Sequence, residues 1–363
     1  MGDEIRFGFI GAGEIAVQTA KAVAEAEGAR LVAVTDANAE LARELAGRHG
    51  AEAVDSPDEL AGRDDVDAVY VAVPHFLHSL MAQAAARAGK HVLLEKPTGT
   101  SAEDAERTLR AVRTCSVSLS VPFIYRYTEA WRQVRAIVAD GLLGELQAVR
   151  IVYLARKPDG YWEGGYSGRS RSDWRQRLLQ SGGGVLMMNC VHDIDAVRWS
   201  TGLEAERAHA EYGTFATPVE VEDYLTAVIR YRGGAVGLIE AGSAIPGGAG
   251  PMGAGGHRFV GTDGQVVLDG ERLWLFSQRG GCGVDAGRWG EVAAPQTRPA
   301  RTLLVEDYAR ALLRGEAPPI PDDAGLEALK VISACYQSQK VGRPVRIEEL
   351  FQRPVMAPRT TVG

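Results

Sequence analysis

Along the first 120 residues, short continuous apolar runs alternate with Ala-rich stretches of helical period. Residues 7–10, 31–35, 68–73, 91–94 and 117–121 read as strands, and residues 15–26, 40–48, 79–88 and 102–113 as helices. The run at 68–73 is continuously apolar, as suits a parallel strand covered on both faces. This βαβα order predicts a doubly wound parallel sheet. After Pro122 the rhythm changes. A helix at 129–139 stops at Asp140-Gly141, and apolar and polar residues then alternate at 147–155, 208–214, 223–231, 236–241, 257–261 and 265–268. That period of two predicts an open, largely antiparallel sheet with one face covered. Helices at 185–200, 303–313 and 326–339 interrupt it. The expected fold class is α/β: an N-terminal Rossmann domain (1–121), a C-terminal α+β domain with the open sheet (122–350) and an arm (351–363). The Gly-rich stretches 247–256 and 280–290 read as loops.

A length of 363 residues suits two domains with cores of their own. The formal charge of −7 argues against nucleic acid or an anionic membrane as the main partner, since both ask for a basic face. The basic run from Arg169 to Arg177 is the local exception. No basic-then-apolar leader opens the chain, and no apolar run nears the ~18 residues that span a bilayer. Cys115, Cys190, Cys282 and Cys335 lack metal-ligand spacing and read as reduced thiols of a cytoplasmic protein with no metal.

Gly11-Ala12-Gly13-Glu14-Ile15-Ala16 follows a strand and opens a helix, the context that a dinucleotide fingerprint requires. Gly11 allows the tight turn, Gly13 a close approach of the backbone to a pyrophosphate, and Ala16 close helix–sheet packing. The helix N-terminus offers free N–H groups to the phosphates. Asp36 closes the second strand at the spacing where a carboxylate accepts from the adenosine ribose hydroxyls. It would repel a 2′-phosphate, and Ala37 and Asn38 supply no cation. NAD is therefore expected over NADP, with Arg43 as the residue that could reverse this.

Further motifs are Val73-Pro74-His75 with His78, Gly-Lys-His-Val-Leu-Leu-Glu95-Lys96-Pro97, Trp174-Arg175, Gly182-Gly-Gly184 and His192-Asp-Ile-Asp195. Together with Gly261-Thr-Asp-Gly264 and Gly342-Arg-Pro-Val345 they make a chain that resembles the Gfo/Idh/MocA oxidoreductases over residues 5–350. That family includes glucose-fructose oxidoreductase and inositol 2-dehydrogenase. The resemblance implies that Val73, Pro74, His75 and His78 line the crevice over the cofactor. It places Glu95 by the nicotinamide ribose, Lys96 at the reacting oxygen, and Trp174 and Arg175 on the cofactor from the second domain. It also implies a homodimer or homotetramer built through the open sheet. Arg169, Arg171 and Arg177 are expected in a solvated loop.

Removing a hydride from an alcohol needs a proton acceptor, best a histidine, and a cation for the developing alkoxide. His192 and Lys96 are the catalytic candidates. On a continuous helix Met188, His192, Asp195 and Trp199 share one stripe, so Asp195 is expected to orient the imidazole. Many members of the family carry an acid where this chain has Met188. That leaves open whether His192 with Asp195, Lys96, or a tyrosine (Tyr125, Tyr153, Tyr161 or Tyr166) accepts the proton. Tyr125, Arg126, Tyr161, Asn189 and Asp195 are the candidate substrate contacts. The resemblance implies NAD-dependent oxidation of a secondary hydroxyl on a sugar, cyclitol or glycoside, or reduction of a keto sugar. The Ala-, Arg- and Gly-heavy composition would suit a bacterial step in aminosugar or other natural-product biosynthesis. Two alternatives are a dinucleotide sensor or co-repressor without turnover, and a non-sugar reductase on the same fold.

Overall fold

The computed structural model describes residues 3–250 and 256–351. Most of the expected C-terminal arm, and residues 251–255 of the first Gly-rich loop, lie outside the described residues. The first sheet is built from β1 (Ile5–Ile10), β2 (Ala29–Thr35), β3 (Glu52–Ala53), β4 (Ala68–Val71), β5 (His91–Leu94) and β6 (Leu119–Ser120). They run parallel in the order β3-β2-β1-β4-β5-β6. Helices α1 (Glu14–Glu25), α2 (Ala39–His49), α3 (Pro57–Gly62), α4 (His75–Arg87) and α5 (Ala102–Thr114) connect them. β4 is buried at all four positions, the burial its unbroken apolar run predicts. Local chemistry sets the helix ends: Asn38 accepts from Glu40 N at the start of α2, Ser101 from Asp104 N at the start of α5, and Gly50 closes α2 in the left-handed region. α1 is the exception, because Gly13 at its start offers no side-chain cap. Strand order reverses between β1 and β4, and a ligand crevice belongs at the carboxyl ends there.

The second sheet takes β7 (Leu146–Leu154), β8 (Ala205–Gly213), β9 (Tyr224–Tyr231), β10 (Val236–Gly242), β11 (His257–Gly261), β12 (Gly264–Asp269), β13 (Arg272–Ser277), β14 (Trp289–Val292) and β15 (Val345–Arg346). Its order is β14-β13-β12-β11-β7-β10-β9-β8-β15, antiparallel except for the β7–β10 pair. β13 and β14 were not expected. Arg-Leu-Trp-Leu-Phe-Ser reads as an apolar run rather than an alternation, and β14 emerges from the Gly-rich stretch at 280–290. One face is covered by α6 (Glu129–Ala139), α9 (Val191–Thr201) and α11 (Ala324–Val341); of the single turns α7 (Tyr161–Gly164) and α8 (Leu178–Ser181), α8 packs against α4. On the open face Val228 and Leu238 remain exposed. Between β14 and α11, α10 (Ala300–Leu313) returns to the first domain. It packs on α1 and sets Tyr308 6.1 Å from Phe7, ring to ring.

The helix expected at 185–200 is two helices. Leu186–Cys190 form a π-turn, and the α-helix begins at Val191. The Glu222 carboxylate accepts from Gly184 N (2.7 Å) and Leu186 N (3.0 Å), which draws the entry turn wide. The extra residue in the turn breaks the 100° phase, so Met188 and His192 do not stand on the single stripe expected of them.

Candidate active site

A crevice of about 870 Å³ opens between the strand ends of the first sheet and residues 161–175 of the second domain. Its floor is the glycine turn. Gly11 has φ +104°, and a Cβ there would sit 2.3 Å from Ala72 O, so the turn itself demands glycine. Gly13 differs: its φ is −69°, and a Cβ would meet nothing within 4 Å. Space over uncapped helical N–H groups is what a pyrophosphate needs. Asp36 is held at the rim, where Oδ2 accepts from Ala12 N (2.7 Å) and Oδ1 from Asn38 N (2.8 Å). The residues present thus fit a dinucleotide, and Ile15, Val73, Pro74, Trp174 and Arg175 line the same crevice.

The segment after α7 is tied across this floor. Tyr166 N donates to Glu14 Oε2 (3.0 Å). Arg169 Nε donates to Ala12 O (2.9 Å), and its Nη1 pairs with Glu44 (2.8 Å). Arg169 is therefore largely buried on the glycine turn, not solvated as expected, because the turn's carbonyl and an α2 carboxylate offer it partners. Arg171 and Arg177 are exposed, as expected. His75 Nδ1 lies 2.8 Å from Ser181 O, and its ring packs 4.5 Å from that of Trp174. The ring nitrogens of His78 meet Pro97 O (2.6 Å) and Val73 O (2.8 Å). Both imidazoles line the crevice while fastening its walls, and burial pushes both below their ordinary pKa.

At the inner end Lys96 projects from the end of β5, ahead of a cis peptide to Pro97. Its Nζ donates to Met188 O at 2.8 Å. Burial lowers its pKa, partly opposed by the Glu95 carboxylate. Glu95 is less available than the resemblance implied. It accepts from Tyr70 OH (2.8 Å) and Arg301 Nη1 (2.9 Å), and despite its burial Arg301 and Lys96 keep its pKa below the usual carboxylate value. Tyr161 and Met188 complete this end of the crevice.

His192 is half-buried behind it, 5.2 Å from the Tyr125 ring and 6.0 Å from that of Phe123. Burial, then Lys96 and Arg301, push its pKa well below the ordinary value, so the ring is neutral at pH 7. Its Nδ1 is buried without a partner. The expected His192–Asp195 bond is absent. Asp195 instead accepts Arg126 Nε (2.8 Å) and Nη2 (2.6 Å) in a pair that solvent barely reaches. Both are thereby removed from the free substrate contacts, since a buried guanidinium takes the nearest carboxylate in a bidentate grip. Asn189 Nδ2 donates to Tyr153 OH (2.8 Å) and leaves Oδ1 unpartnered. Tyr125, Asn189 and His192 are not among the residues lining the large crevice. Sequence reasoning missed Arg301, Glu222 and Lys157, which stand far from any motif.

Residues 5–123 match the family profile described as an oxidoreductase family with NAD-binding Rossmann fold, and residues 131–267 match the GFO/IDH/MocA C-terminal domain. The chain belongs to the GFO/IDH/MocA family. As a member it is an oxidoreductase with NAD as cofactor, which the Asp36 rim and the open cradle at Gly13 fit. A 1,5-anhydro-D-fructose reductase of Ensifer adhaerens is 33% identical over 64% of this chain and 67% of its own length. A myo-inositol 2-dehydrogenase of Thermotoga maritima is 25% identical over 96% of this chain and all of its own. Among solved structures, the WlbA dehydrogenase of Bordetella pertussis, in complex with NADH and UDP-GlcNAcA, superposes with a TM-score of 0.79 at 25% identity, covering 94% of this chain and 98% of that one. Among the described residues of this GFO/IDH/MocA chain, no helix is long and apolar enough to cross a membrane, and no cluster of metal-ligating side chains occurs.

Proposed function

We propose that the protein oxidises a secondary hydroxyl of a sugar, cyclitol or glycoside, or reduces the corresponding keto sugar. The observation that carries this reading is a lysine ammonium at the inner end of a dinucleotide crevice, with a neutral histidine behind it whose Nδ1 lacks a partner. Bound NAD supplies the hydride acceptor. Lys96 faces the substrate oxygen and stabilises its developing negative charge. His192 takes the hydroxyl proton, for which a neutral ring with an open nitrogen is the right state. Relatives named as an anhydrofructose reductase and an inositol dehydrogenase support a polyhydroxylated substrate. The exposed Val228 and Leu238 on the open sheet support a homodimer or homotetramer formed through that face, and four free cysteines a cytoplasmic setting.

The test is absorbance at the reduced-nicotinamide band with NAD and a panel of polyols. Lys96→Ala and His192→Ala should each lower kcat by about 10²–10⁴ while NAD binding survives. A chain that binds NAD tightly but turns over no polyol or keto sugar would be a sensor, and the reading would fall.

A further inference from the structure

Lys157 is a buried charged side chain that the chemistry above leaves unused. It follows β7, and its backbone N–H donates to Ser243 O at 2.9 Å. Its side chain runs inward until the residue is only 6% exposed. There Nζ has no hydrogen-bond partner. It lies 3.8 Å from the centroid of the Tyr161 ring and 5.6 Å from that of Trp162. Tyr161 forms the inner wall of the crevice with Lys96 and Met188. Arg175 packs against the same ring from 5.4 Å.

Among the described residues, the carboxylates nearest these cations are already engaged: Glu14, across Gly165 from Arg175, accepts from Tyr166 N. Glu222 already accepts from two backbone N–H groups and from Tyr336 OH. Glu95 is taken by Arg301 and Tyr70, and Asp195 by Arg126. A buried ammonium that rests on aromatic rings without a hydrogen-bond partner keeps part of its desolvation cost, because a cation–π contact returns about 2 kcal/mol at best and the penalty for a buried ion is several. Burial, and then the repulsion of Arg175, accordingly bring the Lys157 pKa down to about 7. Such a group is poised to be charged by an anion arriving from outside the protein.

We propose that this end of the site receives the carboxylate of an acidic substrate: a sugar or cyclitol acid whose carboxylate pairs with Lys157 and Arg175 while the reacting hydroxyl lies on Lys96. The position of that hydroxyl rests on the hydride-transfer reading above; the charge preference does not. The Tyr161 ring covers Nζ, so the ring moves to admit the carboxylate. It is carried by α7, a single turn running into Gly164-Gly165.

The experiment compares D-glucuronate, D-galacturonate and D-gluconate with D-glucose, D-galactose and D-sorbitol. Two readouts are taken: kcat/KM with NAD, and calorimetric binding to the NAD-loaded protein. The acids should be favoured about 10- to 100-fold, the worth of a hydrogen bond to a charged group. Lys157→Met should bring the acid-to-neutral ratio close to one, and Lys157→Arg should retain most of it. Removing an unpartnered buried charge should leave the fold intact, which a urea titration of Lys157→Met checks. Acids that bind and react no better than their neutral counterparts overturn the proposal, as does a preference that survives Lys157→Met. A silent NADH band with every sugar defeats the hydride-transfer reading alone; the calorimetric ratio then decides the charge preference by itself.

Discussion

The buried Arg126–Asp195 pair separates two roles that the sequence could not tell apart. If Arg126 anchors the core, truncating Asp195 strands a guanidinium whose side chain is 6% exposed and which loses two charge-assisted hydrogen bonds of 2.6 and 2.8 Å. Breaking a pair of this kind costs about 3–5 kcal/mol, a large fraction of the ~5–15 kcal/mol that separates folded from unfolded proteins. Replacing both partners by apolar residues leaves no orphan charge, so Arg126→Met with Asp195→Leu should cost far less than Asp195→Ala alone. Urea titration followed by tryptophan fluorescence measures Asp195→Ala, Arg126→Met and the double variant against the parent chain, and KM is measured on each that folds. The expected pattern is a steep loss for Asp195→Ala, a substantial recovery in the double variant, and a KM that does not track the charge. A loss below about 1 kcal/mol for Asp195→Ala, the level of an exposed pair, would refute the reasoning. So would an Arg126→Met chain of native stability whose KM rises tenfold, because Arg126 would then be a substrate contact.

The two fingerprint glycines should fail differently. Gly13→Val should fold normally, since nothing lies within 4 Å of the added carbon, yet weaken NAD by about tenfold or more, some 1.4 kcal/mol or above, in a fluorescence titration. Gly11→Ala should instead destabilise the apo chain by about 1–3 kcal/mol, through its positive φ and the Ala72 carbonyl; equal melting temperatures would contradict this. His75 and His192 are held well below the pKa near 6.5 that they have when unfolded, so below that pH the unfolded chain takes up protons the folded one refuses. Their stabilising contribution is complete above about pH 6.5 and is lost as pH falls, by up to about 1.4 kcal/mol per unit per histidine; urea midpoints that do not change between pH 7.5 and 5.5 would argue against it. If the chain forms the proposed oligomer through the open sheet, Val228→Lys with Leu238→Glu should give monomers in light scattering, and a mass equal to that of the parent chain would argue against that interface.

What could be read from the sequence was what depends on neighbours in the chain. The glycine turn, Asp36, and Lys96 at a strand end all follow from a few consecutive residues, and the structure brings them to one crevice. The partnership of Arg126 with Asp195 spans 69 positions, and the helical phase that put Met188 on the stripe of His192 assumed a regular turn. Glu222 widens that turn from a distant strand end, and nothing near Met188 announces it. Lys157 resembles any lysine that ends a strand until the fold closes aromatic rings around it. β14 was lost among glycines because a short edge strand needs its neighbour, not its own pattern, to exist.

The return of α10 to the first domain orders events during synthesis. Glu95 and Tyr70 are buried early in the chain, but their cation, Arg301, leaves the ribosome 206 residues after Glu95. Until then a nascent Rossmann half carries a carboxylate that has Lys96 beside it but lacks its second cation. The crevice wall at Glu95 is thus finished by α10, and a chain halted before Arg301 would display the fingerprint without a settled catalytic edge.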